Sequence, residues 1–142
     1  DLIPVMAKVL CGLGIRHAMV VHGEDGFDEI SISAPTKVAE IKDGGIFEYT
    51  ITPEQFGLPM AEKEEVVGGS PEENALITQG ILAGTIRDAK RNIVLLNAGC
   101  ALYVVGQAGS IGDGVALAAE MIDSGAALAK LEELKQFTNA LA

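Results

Sequence analysis

The apolar pattern of the chain changes at Pro53, and this change restricts the fold more than any other feature of the sequence. Before Pro53, short β-branched runs separated by glycine-containing turns are typical of strands. After it, apolar residues recur every three or four positions, as they do in helices. The strands expected from this pattern are 17–22, 29–33, 36–41 and 46–51. Because so few strands accompany so much helix, we predict an α/β fold with a partial, mainly parallel sheet flanked by helices.

The ends of several elements are marked by local signals. A first helix is expected over 2–13, with apolar residues on one face and Gly14 as its stop. The run Ala-Met-Val-Val that follows His17 is continuously apolar, which predicts a buried strand paired in parallel. Thr52-Pro53 and Ser70-Pro71 each place a hydroxyl before a proline, with Gln or Glu at the third helical position, so both predict helix starts. Further helices are expected over 71–83, from Ser110 to 122, and from Gly125 onwards.

Composition excludes several classes of function. The chain has 142 residues and a formal net charge of -10, which opposes binding to a nucleic-acid backbone. No apolar run reaches the roughly 18 residues that a membrane-spanning helix needs, and no signal peptide is visible. Two isolated cysteines, Cys11 and Cys100, indicate a reducing compartment, so we expect a cytoplasmic protein. Because the chain starts at Asp1 and runs at once into a helix-like segment, we expect a piece of a longer protein.

An acidic loop is the most informative stretch for chemistry. Residues 22–29 read His-Gly-Glu-Asp-Gly-Phe-Asp-Glu, with four carboxylates directly after a predicted strand. Ligands of open α/β sheets bind at the carboxyl ends of strands. Asp28 and Glu29 could converge there on Mg²⁺, which is typically held by one or two carboxylates together with phosphate oxygens and waters. The local pattern alone leaves open the alternative of a solvated acidic turn.

The sequence resembles the anthranilate phosphoribosyltransferase family over nearly its whole length. The resemblance is carried by His-Gly-Glu-Asp-Gly-Phe-Asp-Glu-Ile-Ser at 22–31 and Pro-Thr-Lys-Val at 35–38. Further matches, in the family's order, are Tyr-Thr-Ile-Thr-Pro at 49–53, Phe-Gly at 56–57, Gly-Gly at 68–69, Glu-Asn-Ala at 73–75, Leu-Asn-Ala at 96–98, Ala-Leu-Tyr at 101–103 and Ile-Asp-Ser-Gly-Ala at 122–126.

This resemblance implies a fold, a reaction and a set of site residues. It implies the nucleoside phosphorylase/phosphoribosyltransferase catalytic domain, of which residues 1–142 would be one C-terminal portion, with 92–105 as a buried helix. It implies a magnesium-dependent pentosyltransferase that moves phosphoribose from phosphoribosyl pyrophosphate (PRPP) to anthranilate in tryptophan biosynthesis. Asp28 and Glu29 would bind the Mg²⁺ that holds PRPP. Independently of the resemblance, His22 and Gly23 end a predicted strand beside the acidic loop and are candidate substrate contacts, with a structural role as the alternative for His22.

The resemblance also shows what this chain does not carry. The family's Gly-Thr-Gly-Gly-Asp loop, which holds the pyrophosphate, has no counterpart in the sequence. The small N-terminal helical domain and the basic residue that helps to hold anthranilate are missing as well. We therefore expect the isolated chain to be inactive, and we expect exposed apolar surface to favour a homo-oligomer. The alternatives are a paralogue of the same fold with another acceptor, such as a nucleoside phosphorylase, and a non-catalytic binding module.

Other motifs carry less information. The glycines at 106, 109, 112 and 114 are not in the order of a dinucleotide-binding loop. Gly68-Gly69-Ser70 before a helix is an anion site or, more simply, a cap. Lys37 is expected to face solvent, and Asn97 is expected to form hydrogen bonds in the core.

Overall fold

A computed structural model of the chain describes residues 2–141 and confirms the α/β class. The helix α1 (Ile3–Gly12) precedes three strands, β1 (His17–Gly23), β2 (Thr36–Lys42) and β3 (Gly45–Ile51). Two short 3₁₀ helices follow at Pro53–Phe56 and Lys63–Val66. The remainder is helical: α2 (Pro71–Leu82), α3 (Ala89–Val104), α4 (Ile111–Asp123) and α5 (Ala126–Asn139). Within the described residues no helix is both long and apolar enough to cross a membrane.

The sheet is antiparallel, so the expectation of mainly parallel pairing is wrong for these strands. The order is β1-β2-β3, with Val21 opposite Val38 and Ile41 opposite Ile46. A two-residue turn at Asp43 and Gly44 joins β2 to β3, and both residues have positive φ angles of 49° and 79°. Such turns belong to tight hairpins, whose strands must run in opposite directions. The continuous apolar run of β1 indicated burial on two faces, which does not determine the direction of a neighbouring strand.

The expected strand over 29–33 is also absent from the structure. Ile30 and Ile32 are buried as their spacing suggested, but the backbone there is bent and has no strand partner. The Ser31 hydroxyl accepts the backbone N–H of Ser33 at 2.9 Å, and the Ser31 N–H donates to the Thr36 hydroxyl at 2.9 Å. Because side chains satisfy these backbone groups, the segment does not need a ladder of strand hydrogen bonds.

Helices cover both faces of the sheet. Along β2, Val38 packs in the larger core cluster with residues of α3, whereas Ala39 and Ile41 pack with Ile3 and Ala7 of α1. This alternation follows from the two-residue period of a strand. The molecule therefore has α1 on one side of the sheet and α3 on the other, with α4 packed against α3.

Two glycines allow α3 and α4 to pack closely. A Cβ atom on Gly114 would lie 2.1 Å from the Gly99 carbonyl oxygen, and one on Gly99 would lie 2.6 Å from the Val115 nitrogen. The helix predicted over 92–105 is confirmed, with Leu96 fully buried on its inner side. Burial all round this helix is not observed, because Val94 within α3 is 37% exposed.

Both serine-capped helix starts are confirmed in detail. The Ser70 hydroxyl accepts the Glu73 N–H at 3.2 Å, and the Ser110 hydroxyl accepts the Asp113 N–H at 3.1 Å. The Thr52-Pro53 signal begins only a 3₁₀ turn, with Gln55 accepting the Thr52 N–H at 3.2 Å. Gly57 follows with a φ of 75°, a left-handed conformation that ends helices.

Candidate active site

The acidic loop, residues 24–35, connects β1 to β2 at one end of the sheet. Two backbone hydrogen bonds close its base, from Gly23 N to Phe27 O and from Glu24 N to Pro35 O, each at 2.9 Å. The loop therefore folds back on β1, and backbone hydrogen bonds alone already hold its base.

Asp25 is the internal anchor of the acidic loop. Its carboxylate accepts the hydroxyls of Ser31, at 2.7 Å, and of Ser33, at 2.5 Å. Its other oxygen lies 3.4 Å from the Phe27 nitrogen. Burial on its own raises the pKa of Asp25, but the hydrogen bonds from Ser33, Ser31 and the backbone favour the ionised form more strongly and lower that pKa. Sequence reasoning placed Asp25 among four equivalent acids and missed this structural role.

Gly23 is required by the packing of the loop. A Cβ atom there would lie 2.7 Å from an Asp25 carboxylate oxygen and 3.0 Å from the Ser31 Cβ. Any larger residue would therefore push the Asp25 anchor out of place. Its suggested contact with substrate remains a prediction, as does that of His22, which is exposed at the end of β1.

Asp28 and Glu29 lie on the outer side of the loop, and both are exposed. Among residues 2–141, no hydrogen bond or ion pair engages either carboxylate, so their oxygens are available to a ligand. The described part of the chain contains no group of three or more metal-binding side chains. This donor set fits Mg²⁺, which keeps several waters and phosphate oxygens as ligands, and does not fit a metal enclosed by protein alone.

Asn97 of α3 fixes the backbone next to this carboxylate pair. Its side chain accepts the Ile30 N–H at 3.0 Å and donates to the Ile30 carbonyl at 2.8 Å. A further bond joins it to the Ile93 carbonyl at 3.0 Å. The expectation that Asn97 forms hydrogen bonds in the core is confirmed. Its partner is the residue directly after Glu29, so α3 sets the position of the carboxylate pair.

Lys63 adds a positive charge to the acidic loop. Its ammonium group donates to the Asp25 carbonyl at 2.7 Å and lies 4.8 Å from the centre of the Phe27 ring. This contact spans 38 positions in the chain, and no local sequence signal indicates it.

A second polar cluster surrounds Glu40, which is 7% exposed on β2. Its carboxylate accepts the hydroxyls of Tyr49 and Tyr103, each at 2.8 Å, and lies 2.9 Å from the His17 ring nitrogen. Lys42 in turn donates to the Tyr103 hydroxyl at 2.9 Å. Glu40 shares with Val38 the face of β2 that packs on α3, so its carboxylate requires hydrogen-bond partners there. Glu40 lies five positions from Pro35, the last residue of the loop, or about 17 Å along the strand.

Hydrogen bonding keeps Glu40 ionised inside the protein. Burial alone raises the pKa of its carboxyl group, but the donors on Tyr49, Tyr103 and His17 lower it. Burial and the bond to Glu40 raise the pKa of Tyr49, so that its phenol remains a donor. Burial, with a smaller effect of Glu40, raises the pKa of Cys100 to about 12. That thiol is therefore a core group and not a nucleophile.

The minor motifs take structural roles. Gly106, with a φ of 76°, and Gly109 lie between α3 and α4, whereas Gly112 and Gly114 lie within α4. None of these glycines follows a strand. The N–H of Gly69 is bonded to Asn74 at 2.8 Å and that of Ser70 to Glu73 at 2.7 Å, which agrees with capping.

Residues 1–128 match the model of a family described as "Glycosyl transferase family, a/b domain", and the chain belongs to this family. Among curated relatives, it is 49% identical over 140 residues to the anthranilate phosphoribosyltransferase of Methanobrevibacter smithii, covering 99% of this chain and 42% of the relative. It is 52% identical over 134 residues to the same enzyme of Haloarcula marismortui, covering 94% of this chain and 40% of the relative. The chain thus spans about two fifths of the length of the relatives it matches.

Solved structures that superpose on the chain are also anthranilate phosphoribosyltransferases. The anthranilate phosphoribosyltransferase of Thermus thermophilus superposes with a TM-score of 0.84 at 39% identity, covering 93% of this chain and 38% of that one. The enzyme of Saccharomyces cerevisiae in complex with PRPP and Mg superposes with a TM-score of 0.81 at 29% identity, covering 92% of this chain and 38% of that one. The same yeast enzyme is also known in complex with 4-fluoroanthranilate.

Proposed function

We propose that this chain supplies the magnesium-binding part of an anthranilate phosphoribosyltransferase active site, with Asp28 and Glu29 as the metal ligands. The observation that carries the proposal is the carboxylate pair itself, which is exposed and has no partner among residues 2–141, on an otherwise anchored loop. The names of the relatives, and the yeast structure with PRPP and Mg, support the same metal and substrate.

The proposed reaction moves phosphoribose from PRPP to anthranilate, as a step of tryptophan biosynthesis. When bound, Mg²⁺ would neutralise the negative charge that develops on the departing pyrophosphate. The chain's own task is to hold two carboxylates in place before the substrate arrives. Asp25 fixes the loop from inside and Asn97 fixes it from α3, so little reorganisation is needed during the reaction. His22 and Gly23 at the same end of β1 are proposed substrate contacts.

The rest of the active site must come from elsewhere. The Gly-Thr-Gly-Gly-Asp loop that the family uses for pyrophosphate is not in these 142 residues. Catalysis by positioning fails when half of the positioning groups are missing. We therefore propose that the isolated chain folds but transfers no measurable phosphoribose. We further propose a cytoplasmic location, a homo-oligomeric state, and no partnership with nucleic acid or membrane.

A chimera tests the metal assignment. In it, this chain replaces the matching 140 residues of the Methanobrevibacter smithii relative, to which it is 49% identical. Asp28→Asn combined with Glu29→Gln should lower Mg²⁺-dependent kcat/KM for PRPP by about 10²-fold or more, because the charge that holds the metal is lost.

The control is Glu24→Gln, an exposed acid of the same loop, which should change kcat/KM by less than about threefold. Circular dichroism of each variant checks that the chimera remains folded. Unchanged kinetics in the folded double variant would refute the assignment. An active chimera that accepts a pyrimidine base and not anthranilate would instead refute the acceptor.

A further inference from the structure

The turn between β2 and β3 contains an Asp-Gly step in which both reactive groups are free. Asp43 and Gly44 are exposed at the tip of this hairpin. Among residues 2–141, no hydrogen bond or ion pair engages the Asp43 carboxylate, and the Gly44 N–H has no hydrogen-bond partner. The neighbouring ammonium group of Lys42 donates to the Tyr103 hydroxyl at 2.9 Å instead. The carboxyl carbon and the amide nitrogen of this step are therefore both available to react.

The backbone of the turn adds to this availability. Asp43 is the only non-glycine residue of the described structure with a positive φ, 49°, a conformation that is unfavourable for residues with a side chain. Within the described residues, the one hydrogen bond that reaches the turn from elsewhere is weak, since the Cys11 sulfur lies 3.8 Å from the Gly44 carbonyl oxygen. Gly44 has no side chain to shield its nitrogen. The tip can therefore open locally at low cost and bring the nitrogen to the carboxyl carbon.

The chain has two further Asp-Gly steps, at 25–26 and 113–114, and the fold engages both reactive groups of each. The Asp25 carboxylate accepts two serine hydroxyls, and the N–H of the following glycine donates to a backbone carbonyl at 2.9 Å. The Asp113 carboxylate accepts the Ser110 hydroxyl at 2.8 Å, and the Gly114 N–H donates to the Ser110 carbonyl at 3.0 Å. The structure thus separates the step at Asp43 from two steps of the same sequence.

We infer that Asp43 is a site of spontaneous conversion to isoaspartate in the folded chain. The Gly44 nitrogen attacks the protonated carboxyl group of Asp43, so that a bond forms between nitrogen and the carboxyl carbon. The carboxyl hydroxyl leaves with the amide proton as water, and a cyclic imide results. Water then adds to the backbone carbonyl carbon of Asp43 and breaks its bond to the Gly44 nitrogen. One water is lost and one is gained, so the isomerisation needs no oxidant, reductant or enzyme.

The product changes the connection between two strands. In isoaspartate the main chain runs through the side-chain carbon, which adds one carbon between β2 and β3. The present turn has two residues with positive φ and places Lys42 opposite Gly45. A longer connection does not fit this tight turn, so pairing next to the turn should loosen. The far end of the hairpin, where Thr36 lies opposite Ile51, should not change.

The test follows the isolated chain during storage for several weeks at physiological pH and temperature. Peptide mapping with electron-transfer fragmentation measures isoaspartate at each of the three Asp-Gly steps. In the folded chain, isoaspartate should form at Asp43 at least about tenfold faster than at Asp25 or Asp113, because those two must first break hydrogen bonds. In the chain unfolded by urea, the three steps should react at similar rates, because the fold no longer distinguishes them.

The matched control is Asp43→Glu, which keeps the negative charge but would have to close a larger and less favourable ring. This variant should form no isomer at position 43. Hydrogen exchange gives a second readout. In the isomerised fraction, separated by chromatography, amides of 45–47 should exchange at least about tenfold faster than in the fresh chain, and the stored Asp43→Glu variant should show no such change.

The inference is overturned if isoaspartate forms in the folded chain no faster at Asp43 than at the other two steps. A chain that does not fold gives the same equal rates and also counts against it. Isomerisation without faster exchange at 45–47 would overturn the effect on the hairpin. None of these readouts uses Mg²⁺ or transfer of phosphoribose, so they do not depend on the proposed function.

Discussion

Replacing Asn97 with alanine removes the only side chain that ties the backbone of the acidic loop to α3 within the described structure. Two backbone groups lose their partner, the N–H and the carbonyl of Ile30, a residue that is 3% exposed. The bond from Asn97 to the Ile93 carbonyl matters less, because that carbonyl already accepts a hydrogen bond within the helix.

The magnitude follows from these two groups. A buried backbone group that loses its hydrogen-bond partner costs about 1–3 kcal/mol, so two such groups give about 2–6 kcal/mol. Asn97 is only half-buried, so water can enter the vacated space and replace part of the loss. We therefore expect the free energy of unfolding to fall by about 2–3 kcal/mol, in the lower part of that range.

Urea unfolding followed by circular dichroism measures this loss. With a slope of about 1–3 kcal/mol per molar urea, the midpoint should fall by about 0.7–3 M. Asn92→Ala is the matched control, since it makes the same change in the same helix, and the Asn92 side chain has no hydrogen bond within the described structure. Any gain in helix propensity is then common to both variants. Equal midpoints for the two variants would show that the Asn97 contacts contribute nothing to stability.

Three further results are expected. Gly114→Ala should lower the free energy of unfolding in urea by about 1–3 kcal/mol, because the new Cβ would meet the Gly99 carbonyl. Gly112→Ala is the control and should not destabilise, because the only atom near its Cβ is 3.8 Å away. Equal effects would contradict this packing. The Tm should be constant above pH 5 and fall below about pH 4.5. In the fold, Asp25 and Glu40 have pKa values below their ordinary values of 3.8 and 4.5. The stabilisation by their ionised forms is therefore lost as the pH falls through the folded pKa. Glu40→Gln should reduce that acid sensitivity, and an identical pH profile would refute the role of this carboxylate. Light scattering of the isolated chain should show association that grows with concentration, and a monomer at high concentration would exclude it.

Helix starts could be read from the sequence because the signal and its partner lie close together. The bond from the Ser70 hydroxyl to the Glu73 N–H spans three positions, and the same is true of Ser110 and Asp113. Strand limits were also predictable over 36–41 and 46–51, where glycine-containing turns bound the apolar runs. The Asp-Gly turn at 43–44 also indicates that β2 and β3 are antiparallel. The direction of β1 relative to β2 was not predictable, because it depends on how the 24–35 loop folds back, and that rests on contacts such as those of Asp25 with two serines.

The polar clusters were harder to predict for a related reason. Glu40 could be expected to need hydrogen-bond partners, because it shares a face of β2 with the buried Val38. Its partner Tyr103, however, lies 63 positions away. Asn97 and Ile30 are separated by 67 positions. In both cases the need for a hydrogen-bond partner can be inferred locally, but the partner lies on a distant element. The resemblance indicated Asp28 and Glu29 directly, whereas the residues that hold them in place emerged only from the structure.

The two anchors of the acidic loop both lie within this chain, and that has a consequence for the isolated protein. Asp25 bonds serines of the same loop, and Asn97 reaches it from α3, so neither depends on a segment outside these 142 residues. Preorganisation of the carboxylate pair and completion of the active site are therefore separable properties. The isolated chain should show slow hydrogen exchange at Ile30 and Ser31 while it transfers no phosphoribose. Under the proposed function, the chimera with the Methanobrevibacter smithii relative should be active, and exchange at those two amides should be unchanged, because their hydrogen bonds are already formed. If Ile30 becomes protected only in the chimera, the remainder of the relative orders the loop, and Asn97 is not sufficient to position Glu29.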